Sequence, residues 1–421
     1  MVVNGRWSHA WRALRHPNFR LFFLGQSVSV IGTWLTQVAR GWLVYQLTHS
    51  ALLLGVVGFA GQFISFVTGP FAGVWVERLD RRKLMICVQT IGALQSLFLA
   101  VVTLTHVVTV LQIIVLSIVA GLVGALAVPA RLSFVAQMVD DRNDVDNGIA
   151  LVTSMANVAR LVGPAIAGLV IAAFGEGWCF LIDALSFLPV IASLALMRMK
   201  IPPARRGSHG MFEEIRQGWN YVSTFLPIRT LLLFLALVSL MGNSYAVLLP
   251  VFAAKVLNGG PTTLGWLTSA TGIGALISTF SLALRKSVAG LARKVQMAGA
   301  LLGLALILFG LSQRLWLSLP LMALIGFGLM QSVTGINTII QSLVPEDMRG
   351  RAMSYYAMAF LGAAPFGNLI ASALAERLGA PTAVGLTGAA CLVGSIWLAL
   401  ELPKVTAAMR PIYAEKDLPL P

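Results

Sequence analysis

Charged residues are scarce in this sequence. Lysine, arginine, aspartate and glutamate make up 11% of its 421 residues, whereas 57% of the residues are hydrophobic, and the mean hydropathy is +0.84. In soluble domains about a quarter of the residues are charged. Their apolar runs are also interrupted by polar faces, which are almost absent from this sequence. The composition therefore excludes a soluble protein and predicts an integral membrane protein.

Cysteine and histidine are also few, with three and five residues. Cys87, Cys179 and Cys391 lie far apart inside apolar segments. They show neither a disulfide framework nor the spacing of metal ligands, so we expect small buried hydrophobic side chains. The histidines lie in loops or at the ends of apolar segments, away from any cluster of cysteines or acids. An enzyme, a metal site and a cofactor are therefore not expected.

Twelve apolar runs, bounded by charged residues, proline or glycine, predict twelve membrane-spanning helices. Each run is near or above the roughly 20 residues that a helix needs to cross the hydrocarbon core. The first is too long for the apolar part of a cleaved signal peptide, so we expect it to be retained. The predicted spans are 19–46, 52–76, 84–105, 109–133, 148–174, 178–198, 227–254, 262–284, 289–312, 315–341, 353–377 and 382–402.

The basic residues predict the orientation of these spans. If the N-terminus is cytoplasmic, 25 of the 30 lysines and arginines fall on the cytoplasmic side. Such an excess is the positive-inside pattern of a plasma-membrane protein with both termini in the cytoplasm. It also accounts for the net charge of +14, so the lipid bilayer is the expected partner and a nucleic acid is not.

The longest loop divides the predicted spans into two groups of six. In this loop Phe212, Ile215, Trp219 and Val222 recur at helical spacing, which predicts a short helix on the cytoplasmic membrane surface, with a solvated linker as the alternative. The predicted divisions are an N-terminus (1–18), a first six-helix half (19–199), a linker (200–226), a second six-helix half (227–402) and a cytoplasmic tail (403–421).

The two halves have the features of a repeat. Similar segments, 137–142 and 341–349, precede the fifth and eleventh spans, and each of these spans is rich in glycine and alanine and contains a proline, Pro164 or Pro365. Two parallel six-helix repeats are typical of carriers that bind a solute between their halves. A channel has no particular need of this duplication. The fold class predicted is an all-α membrane protein of twelve helices in two six-helix repeats.

A glycine, an acid–base pair and a basic cluster follow the second predicted span. The segment resembles motif A of the major facilitator superfamily, although glutamate stands where aspartate is usual and Asp80 where glycine is usual. The resemblance implies a cytoplasmic gate in which Glu77 faces the N-terminus of the eleventh span; a merely basic loop is the alternative. The motif residues are Gly73, Glu77, Arg78, Asp80, Arg81, Arg82 and Lys83.

The fifth predicted span contains small residues around a proline. This segment is similar to motif C of the same superfamily, which is associated with antiporters, although alanine replaces two of its glycines. Small residues allow helices to pack closely, and the proline bends the helix there. The residues that carry the similarity are Arg160, Gly163, Pro164 and Gly168.

Four further segments, 16–22, 41–45, 128–131 and 175–187, resemble one branch of the superfamily. This branch contains macrolide-efflux and enterobactin-exporter-like proteins and is called the third drug:proton antiporter family. The resemblance implies a monomer that exports a small amphipathic solute by alternating access, with protons as the coupling partner. An importer, a facilitator or a membrane sensor on the same fold remains the alternative.

Polar residues inside spans are candidates for function because they are expensive to place in hydrocarbon. Asp183 is the deep acid, and Arg40 lies at a similar depth, so a mutual ion pair is expected, serving either as a clamp or in coupling. Asp183, Glu77 or the solute itself remain alternatives as the proton carrier. The superfamily lines its cavity mainly with spans one, four, seven and ten, which favours Gln26, Gln37, Asn243, Gln331 and Asn337; for each alone, a hydrogen bond between helices is the alternative.

Overall fold

The computed structural model describes residues 11–139, 141–197, 219–285 and 287–415. Within these ranges the regular structure is helical, and twelve helices are long and apolar enough to cross a membrane. The twelve predicted spans are therefore confirmed, and the protein is a multi-pass membrane protein.

After a short 3₁₀ turn at Arg12–Arg15, the first six helices follow one another through short loops. They are α1 (Pro17–Thr48), α2 (Ala51–Arg78), α3 (Arg81–Leu104), α4 (Val110–Met138), α5 (Arg142–Phe174) and α6 (Glu176–Leu196). The second six include two helices, α7 and α11, that are interrupted by π-helical turns. They are α7 (Leu226–Leu237, Val238–Gly242, Tyr245–Val251 and Phe252–Val256), α8 (Pro261–Ala283), α9 (Leu291–Leu311), α10 (Leu315–Leu343), α11 (Glu346–Ala357, Met358–Gly362 and Ala363–Leu378) and α12 (Ala380–Glu415).

The largest difference from the predicted spans is at the end of α12. The helix is longer than the predicted span, 382–402, and continues through the first part of the predicted tail, 403–421, to Glu415. Val405, Met409 and Tyr413 recur at intervals of one turn and are buried, and the Tyr413 hydroxyl lies 3.1 Å from Ser342 Oγ at the end of α10. This apolar stripe gives the polar extension a surface to pack on.

The surface helix predicted in the linker falls largely on residues outside the described ranges. Residues 219–224 are helical. The Trp219 ring lies 5.9 Å from the ring of Tyr355 on α11.

The chain folds into two compact units. The first comprises Met1–Leu47 and Ala60–Gly207, and the second comprises Thr48–Phe59 and Ser208–Pro421. Helix α2 is therefore shared, because its first turns belong to the second unit and the rest belongs to the first.

Helices in the first unit approach closely where small residues meet. A Cβ added at Gly25 on α1 would lie 2.9 Å from the Pro189 carbonyl oxygen on α6. On α2 and α4, Gly61 faces Ser117 and Gly121 faces Gly61, again backbone to backbone. Such contacts replace side-chain packing in membrane bundles, where small residues let two backbones pack directly.

Helices in the second unit also approach closely at glycine residues. A Cβ at Gly303 on α9 would lie 2.7 Å from the Gly388 carbonyl oxygen on α12, and a Cβ at Gly388 would lie 2.7 Å from that of Gly303. Gly274 on α8 and Gly326 on α10 likewise pack against the partner helix's backbone, as Gly61 and its partner do on α2 and α4. The shared arrangement is that of two repeated six-helix bundles.

Helices α7 and α11 meet where both contain π turns. The Ser239 hydroxyl in the α7 turn Val238–Gly242 donates to the Phe360 carbonyl in the α11 turn Met358–Gly362. Gly367 on α11 packs directly on the backbone of Leu240. A π turn leaves carbonyl groups poorly paired within the helix, so a hydroxyl from the neighbouring helix stabilises the irregularity.

Candidate functional site

Asp183 on α6 lies at a junction of three helices in the first unit. Its side chain is 2% exposed. Oδ2 accepts hydrogen bonds from Thr36 Oγ1 on α1 at 2.8 Å and from Ser96 Oγ on α3 at 2.7 Å. Oδ1 makes no hydrogen bond with any described residue. The carboxyl group is thus buried and only half satisfied.

Gly32 on α1 leaves room for this carboxyl group and for the hydroxyl of Ser186. A Cβ at Gly32 on α1 would lie 2.7 Å from Asp183 Oδ1 and 2.5 Å from Ser186 Oγ. The Ser186 hydroxyl donates to the backbone carbonyl of Asp183 at 2.7 Å. Helix α1 can therefore approach α6 at this level only because residue 32 has no side chain.

Arg40 does not make the direct ion pair with Asp183 that the sequence suggests. Its Nη1 donates instead to Ser117 Oγ on α4 at 3.2 Å, and the ion pairs of the described residues do not include the two side chains together. Two hydroxyl groups, those of Thr36 and Ser96, bind Asp183 Oδ2 in place of the arginine. The two charges still interact through space.

The guanidinium group of Arg160 on α5 lies over the indole ring of Trp34 on α1. Its guanidinium carbon lies 5.7 Å from the centroid of the indole ring, within the range of a cation–π contact. One turn further along α5, a Cβ at Gly163 would lie 2.5 Å from Trp34 Cβ. Pro164 and Gly168 are buried, so the motif C-like segment packs against other helices.

Two of the five candidate amides, Gln26 and Gln331, are buried and bind a neighbouring helix. Gln26 is 5% exposed and accepts a hydrogen bond from Gln89 Nε2 on α3 at 3.1 Å. Gln331 is 4% exposed and accepts from Ser278 Oγ on α8 at 2.9 Å. Both amides form the interhelical hydrogen bond that the sequence left as the alternative, since each finds a polar partner inside its own unit.

The other three amides are at least partly exposed. Gln37 on α1 is exposed, whereas Asn243 and Asn337 are half-buried. Asn337 Oδ1 accepts a hydrogen bond from Gln341 Nε2 one turn later on α10, at 2.7 Å. Of the three, only Gln37 belongs to the first unit.

The motif A segment ends α2 and begins α3. The side chains of Glu77 and Arg78 lie outside the described residues, as does that part of the gate prediction. Asp80 is the N-cap of α3, and its Oδ1 accepts from the backbone N–H groups of Arg82 at 3.0 Å and Lys83 at 3.2 Å. An N-cap aspartate satisfies backbone donors that otherwise have no partner, which explains why an acid suits this position.

Two basic residues of the motif bind the ends of other helices in the first unit. Arg82 donates to the Leu194 carbonyl at 2.7 Å and to the Ala195 carbonyl at 2.8 Å, at the end of α6. Arg81 Nη1 lies 3.4 Å from the Ser133 carbonyl on α4. Because helix C-termini carry unpaired carbonyls and partial negative charge, these arginines tie the loop to the bundle.

The opposite end of α2 has an acidic partner that sequence reasoning missed. Glu376 on α11 accepts hydrogen bonds at Oε2 from Ser50 Oγ at 3.1 Å and from the Leu52 N–H at 3.0 Å. Ser50 Oγ also caps the N–H of Leu53 at 3.3 Å. The capping serine was visible in the sequence, but nothing in the sequence connects it to a glutamate 326 positions away.

One cysteine is not where the composition suggested. Cys179 and Cys391 are buried as expected, but Cys87 is exposed. It shares the outward face of α3 with Ile91 and Leu94, which are also exposed, so an apolar side chain there faces the hydrocarbon. Among the described residues no group of three or more histidine, cysteine or acidic side chains could hold a metal ion.

Twelve apolar helices in two glycine-packed repeats, with a carboxyl group buried in one of them, define a polytopic carrier of the major facilitator type. Residues 8–418 match the family described as transmembrane secretion effectors. The chain belongs to this family, and the predicted resemblance is confirmed. It is a membrane transporter rather than an enzyme.

Relatives of known name align over nearly the whole chain. The multidrug efflux pump Tap of Mycolicibacterium fortuitum is 27% identical, over 92% of this chain and 94% of its own length. The staphyloferrin A transporter of Staphylococcus aureus is 23% identical over 86% and 90%. The enterobactin exporter EntS of Salmonella typhi is 26% identical over 87% and 86%.

Solved structures of related fold support the architecture. A POT family transporter crystallised with 5-aminolevulinic acid superposes with a TM-score of 0.74, covering 92% of this chain and 96% of its own. Its sequence identity is 14%, so this likeness concerns the fold alone.

Proposed function

We propose that the chain exports a small amphipathic solute, such as a drug, a macrolide or a siderophore-like molecule, by alternating access and in exchange for protons. Full-length similarity to proteins named as a multidrug efflux pump and siderophore transporters supports export of such solutes. The observation that carries proton coupling is Asp183, an acid buried between three helices of the first unit.

Asp183 is suited to bind and release a proton. An ionised carboxyl group at this depth is expensive, and its two hydrogen bonds converge on Oδ2. A proton on Oδ1 would remove the charge without disturbing Thr36 or Ser96. Release of that proton would leave a carboxylate to which the nearby Arg40 charge is attracted, so solute binding and proton release can compete through these groups.

The cytoplasmic gate of this cycle is the end of α2. In the proposed orientation both termini are cytoplasmic in the inner membrane, because most basic residues then lie on that side. Asp80, Arg81 and Arg82 hold the loop after α2 in place, and the resemblance to motif A assigns the gating acid to Glu77. The motif C-like segment of α5 supplies a bent packing surface. The chain acts as a monomer.

Proton coupling is tested in inverted membrane vesicles containing the full chain and a labelled macrolide or siderophore. An acid-inside gradient is expected to increase accumulation by the wild-type chain. Asp183→Asn preserves the shape of the side chain but not its acid, so the gradient response is expected to disappear while exchange without a gradient remains. Glu401→Gln, which changes an acid of α12 that pairs with the exposed Lys404, is the matched control and is expected to respond as the wild type does.

Four results would contradict parts of this proposal. A gradient response that persists in both Asp183→Asn and Arg40→Met removes Asp183 as carrier and leaves Glu77 or the solute. No gradient response in the wild type excludes proton coupling. In whole cells, expression of an exporter lowers retention of the label. Higher retention would identify an importer. Unchanged retention of every label would identify a sensor.

A further inference from the structure

Ser117 lies where α4 packs directly on α2. A Cβ at Gly61 on α2 would lie 2.9 Å from the Ser117 carbonyl oxygen, and a Cβ at Gly121 would meet the carbonyl oxygen of Gly61. The Ser65 hydroxyl on α2 also donates to the Gly121 carbonyl at 2.7 Å. Backbones in such close contact have no side chains between them that could yield. Helices α2 and α4 are therefore expected to move together at this level, and Ser117 moves with them.

A different group of helices surrounds Asp183. Its carboxyl group on α6 accepts hydrogen bonds from Thr36 on α1 and from Ser96 on α3. Two turns earlier on α3, Gln89 donates to Gln26 on α1 at 3.1 Å. Hydrogen bonds between buried side chains thus join α1, α3 and α6, and the carboxyl group moves with these three helices.

Arg40 belongs to the helices around Asp183 but binds α4. Its Nη1 donates to Ser117 Oγ at 3.2 Å. The Ser117 hydroxyl can accept this bond because its own hydrogen goes to the Ile113 carbonyl on α4, at 2.7 Å. Arg40 Nε is buried and has no hydrogen-bond partner among the described residues. The arginine is therefore held on α4 at one nitrogen and is unsatisfied at another.

The Asp183 carboxyl group lies within the range of the Arg40 side chain. Arg40 follows Thr36, which binds that carboxyl group, by one turn of α1. Long side chains on a helix lean toward its N-terminus, so the arginine covers the turn that contains Thr36. The two charges already interact through space. A change of side-chain torsion is enough to bring them into contact.

The charged groups around Asp183 leave Arg40 as its partner. Helix α1 presents the Arg40 cation, and α3 presents the neutral hydroxyl of Ser96. On α6 itself the titratable groups are Cys179, one turn away, and Glu176 at the start of the helix. Neither of these two can compensate a negative charge. Among the described groups that act on Asp183, Arg40 is the cation.

We infer that Ser117 is a positioning residue for proton exchange, because it holds Arg40 on α4 and so away from the Asp183 carboxyl group. When α2 and α4 move relative to α1, the hydrogen bond to Ser117 breaks and Arg40 turns to the carboxyl group. The inference rests on the proposed function, since it concerns how the proposed proton carrier is emptied.

The step transfers one proton and changes no other covalent bond. The O–H bond of protonated Asp183 breaks, the proton passes to water, and Arg40 compensates the carboxylate charge that remains. Arg40 is only half-buried, so water reaches its side of the cluster. Return of α4 restores the bond between Arg40 and Ser117. The carboxyl group then takes up a proton again, because an unpaired charge is costly at this depth.

The test measures protonation of Asp183 directly. Infrared difference spectroscopy of the purified full-length chain in detergent follows the C=O stretch of the protonated carboxyl group during a pH titration, and Asp183→Asn identifies the band. Ser117→Ala removes the acceptor of Arg40 and is expected to lower the proton affinity of Asp183 about tenfold, because a cation next to a carboxylate favours its charged form. Alanine suits a helix, so α4 is expected to stay intact.

Two further variants separate positioning from packing. Ser65→Ala removes another hydroxyl of the contact between α2 and α4, one that bonds to Gly121 and not to Arg40, and is expected to leave the titration midpoint unchanged. In a chain that carries Arg40→Met, adding Ser117→Ala is expected to cause no further shift, because the two residues act as a pair.

The outcomes either support the inference or overturn it. An unchanged or higher proton affinity in Ser117→Ala overturns it, as does a titration in which Asp183→Asn removes no band. An equal shift in Ser65→Ala, or a shift by Ser117→Ala that persists beside Arg40→Met, means that Ser117 acts through helix packing and also overturns it. The expected shifts without a gradient response in vesicles would leave the role of Ser117 standing and contradict the proposed proton coupling.

Discussion

The two units are built alike but contain different residues at their centres. Both pack helices through paired glycines, Gly61 with Gly121 in the first and Gly303 with Gly388 in the second. The first unit buries a carboxyl group and carries arginines within its spans. In the described part of the second unit the centres of the spans carry amides, hydroxyls and π turns instead. The comparison places the buried carboxyl group and the intramembrane arginines in the first unit and the π turns in the second.

The largest loss of stability is expected from adding a methyl group at the glycines through which both units pack their helices. Gly121→Ala on α4 and Gly388→Ala on α12 place a Cβ against the backbone of the neighbouring helix. Backbone cannot move aside as a side chain can, so each is expected to lower stability by about 2 kcal/mol, the usual range for overpacking. Thermal unfolding of the purified chain in detergent measures this.

Each helix offers its own control three residues away. A Cβ at Gly124 or at Gly385 would meet no atom within 4 Å, and alanine favours a helix over glycine by about 1 kcal/mol. Gly124→Ala and Gly385→Ala are therefore expected to leave the melting temperature unchanged or to raise it. If the test and control variants of either helix change the melting temperature equally, the two units do not share close packing through glycine.

A smaller effect is expected where the second unit is irregular. Ser239→Ala removes the hydroxyl that donates to the Phe360 carbonyl between two π turns. The part-buried carbonyl then loses its partner, at a cost of about 1 kcal/mol, and α7 separates more readily from α11. Lower melting temperature together with an altered transport rate is expected. Ser244→Ala is the control, because that hydroxyl bonds only within its own helix, to Met241; an equal loss there would contradict a role for the α7–α11 contact.

Sequence reasoning succeeded where periodicity and charge carry the information. Twelve spans and the repeat follow from apolar length and internal similarity, and Asp183 and Arg40 stood out because charges are rare in spans. Their partners did not stand out. The hydroxyls that bind Asp183 lie 147 and 87 positions away, and serine and threonine are ordinary residues in membrane helices. Which polar group faces which is decided by helix rotation, and that depends on packing against all neighbours at once.

The π turns illustrate the same limit. Pro250 and Pro365 are visible in the sequence and predict that some backbone carbonyl loses its partner. A kink, a π turn or a hydroxyl from a neighbouring helix can each compensate for that loss. The π turns Val238–Gly242 and Met358–Gly362 are joined by the hydrogen bond from Ser239 to Phe360, a contact between helices that local propensity does not contain.

The smallest effect is expected at the shared helix, at the start of α2. Glu376→Gln keeps an oxygen acceptor for Ser50 and the Leu52 N–H but removes a negative charge from a helix N-terminus. Charge–dipole interactions at exposed helix ends contribute about 0.5 kcal/mol and are screened by salt. The melting temperature is therefore expected to fall slightly at low ionic strength, and the difference from the wild type to vanish in high salt. Glu401→Gln, which loses only an exposed pair with Lys404, should change less at low salt. A difference that does not depend on salt would mean that Glu376 acts through the geometry of its hydrogen bonds, and that the first turns of α2 are held to the second unit by packing rather than by charge.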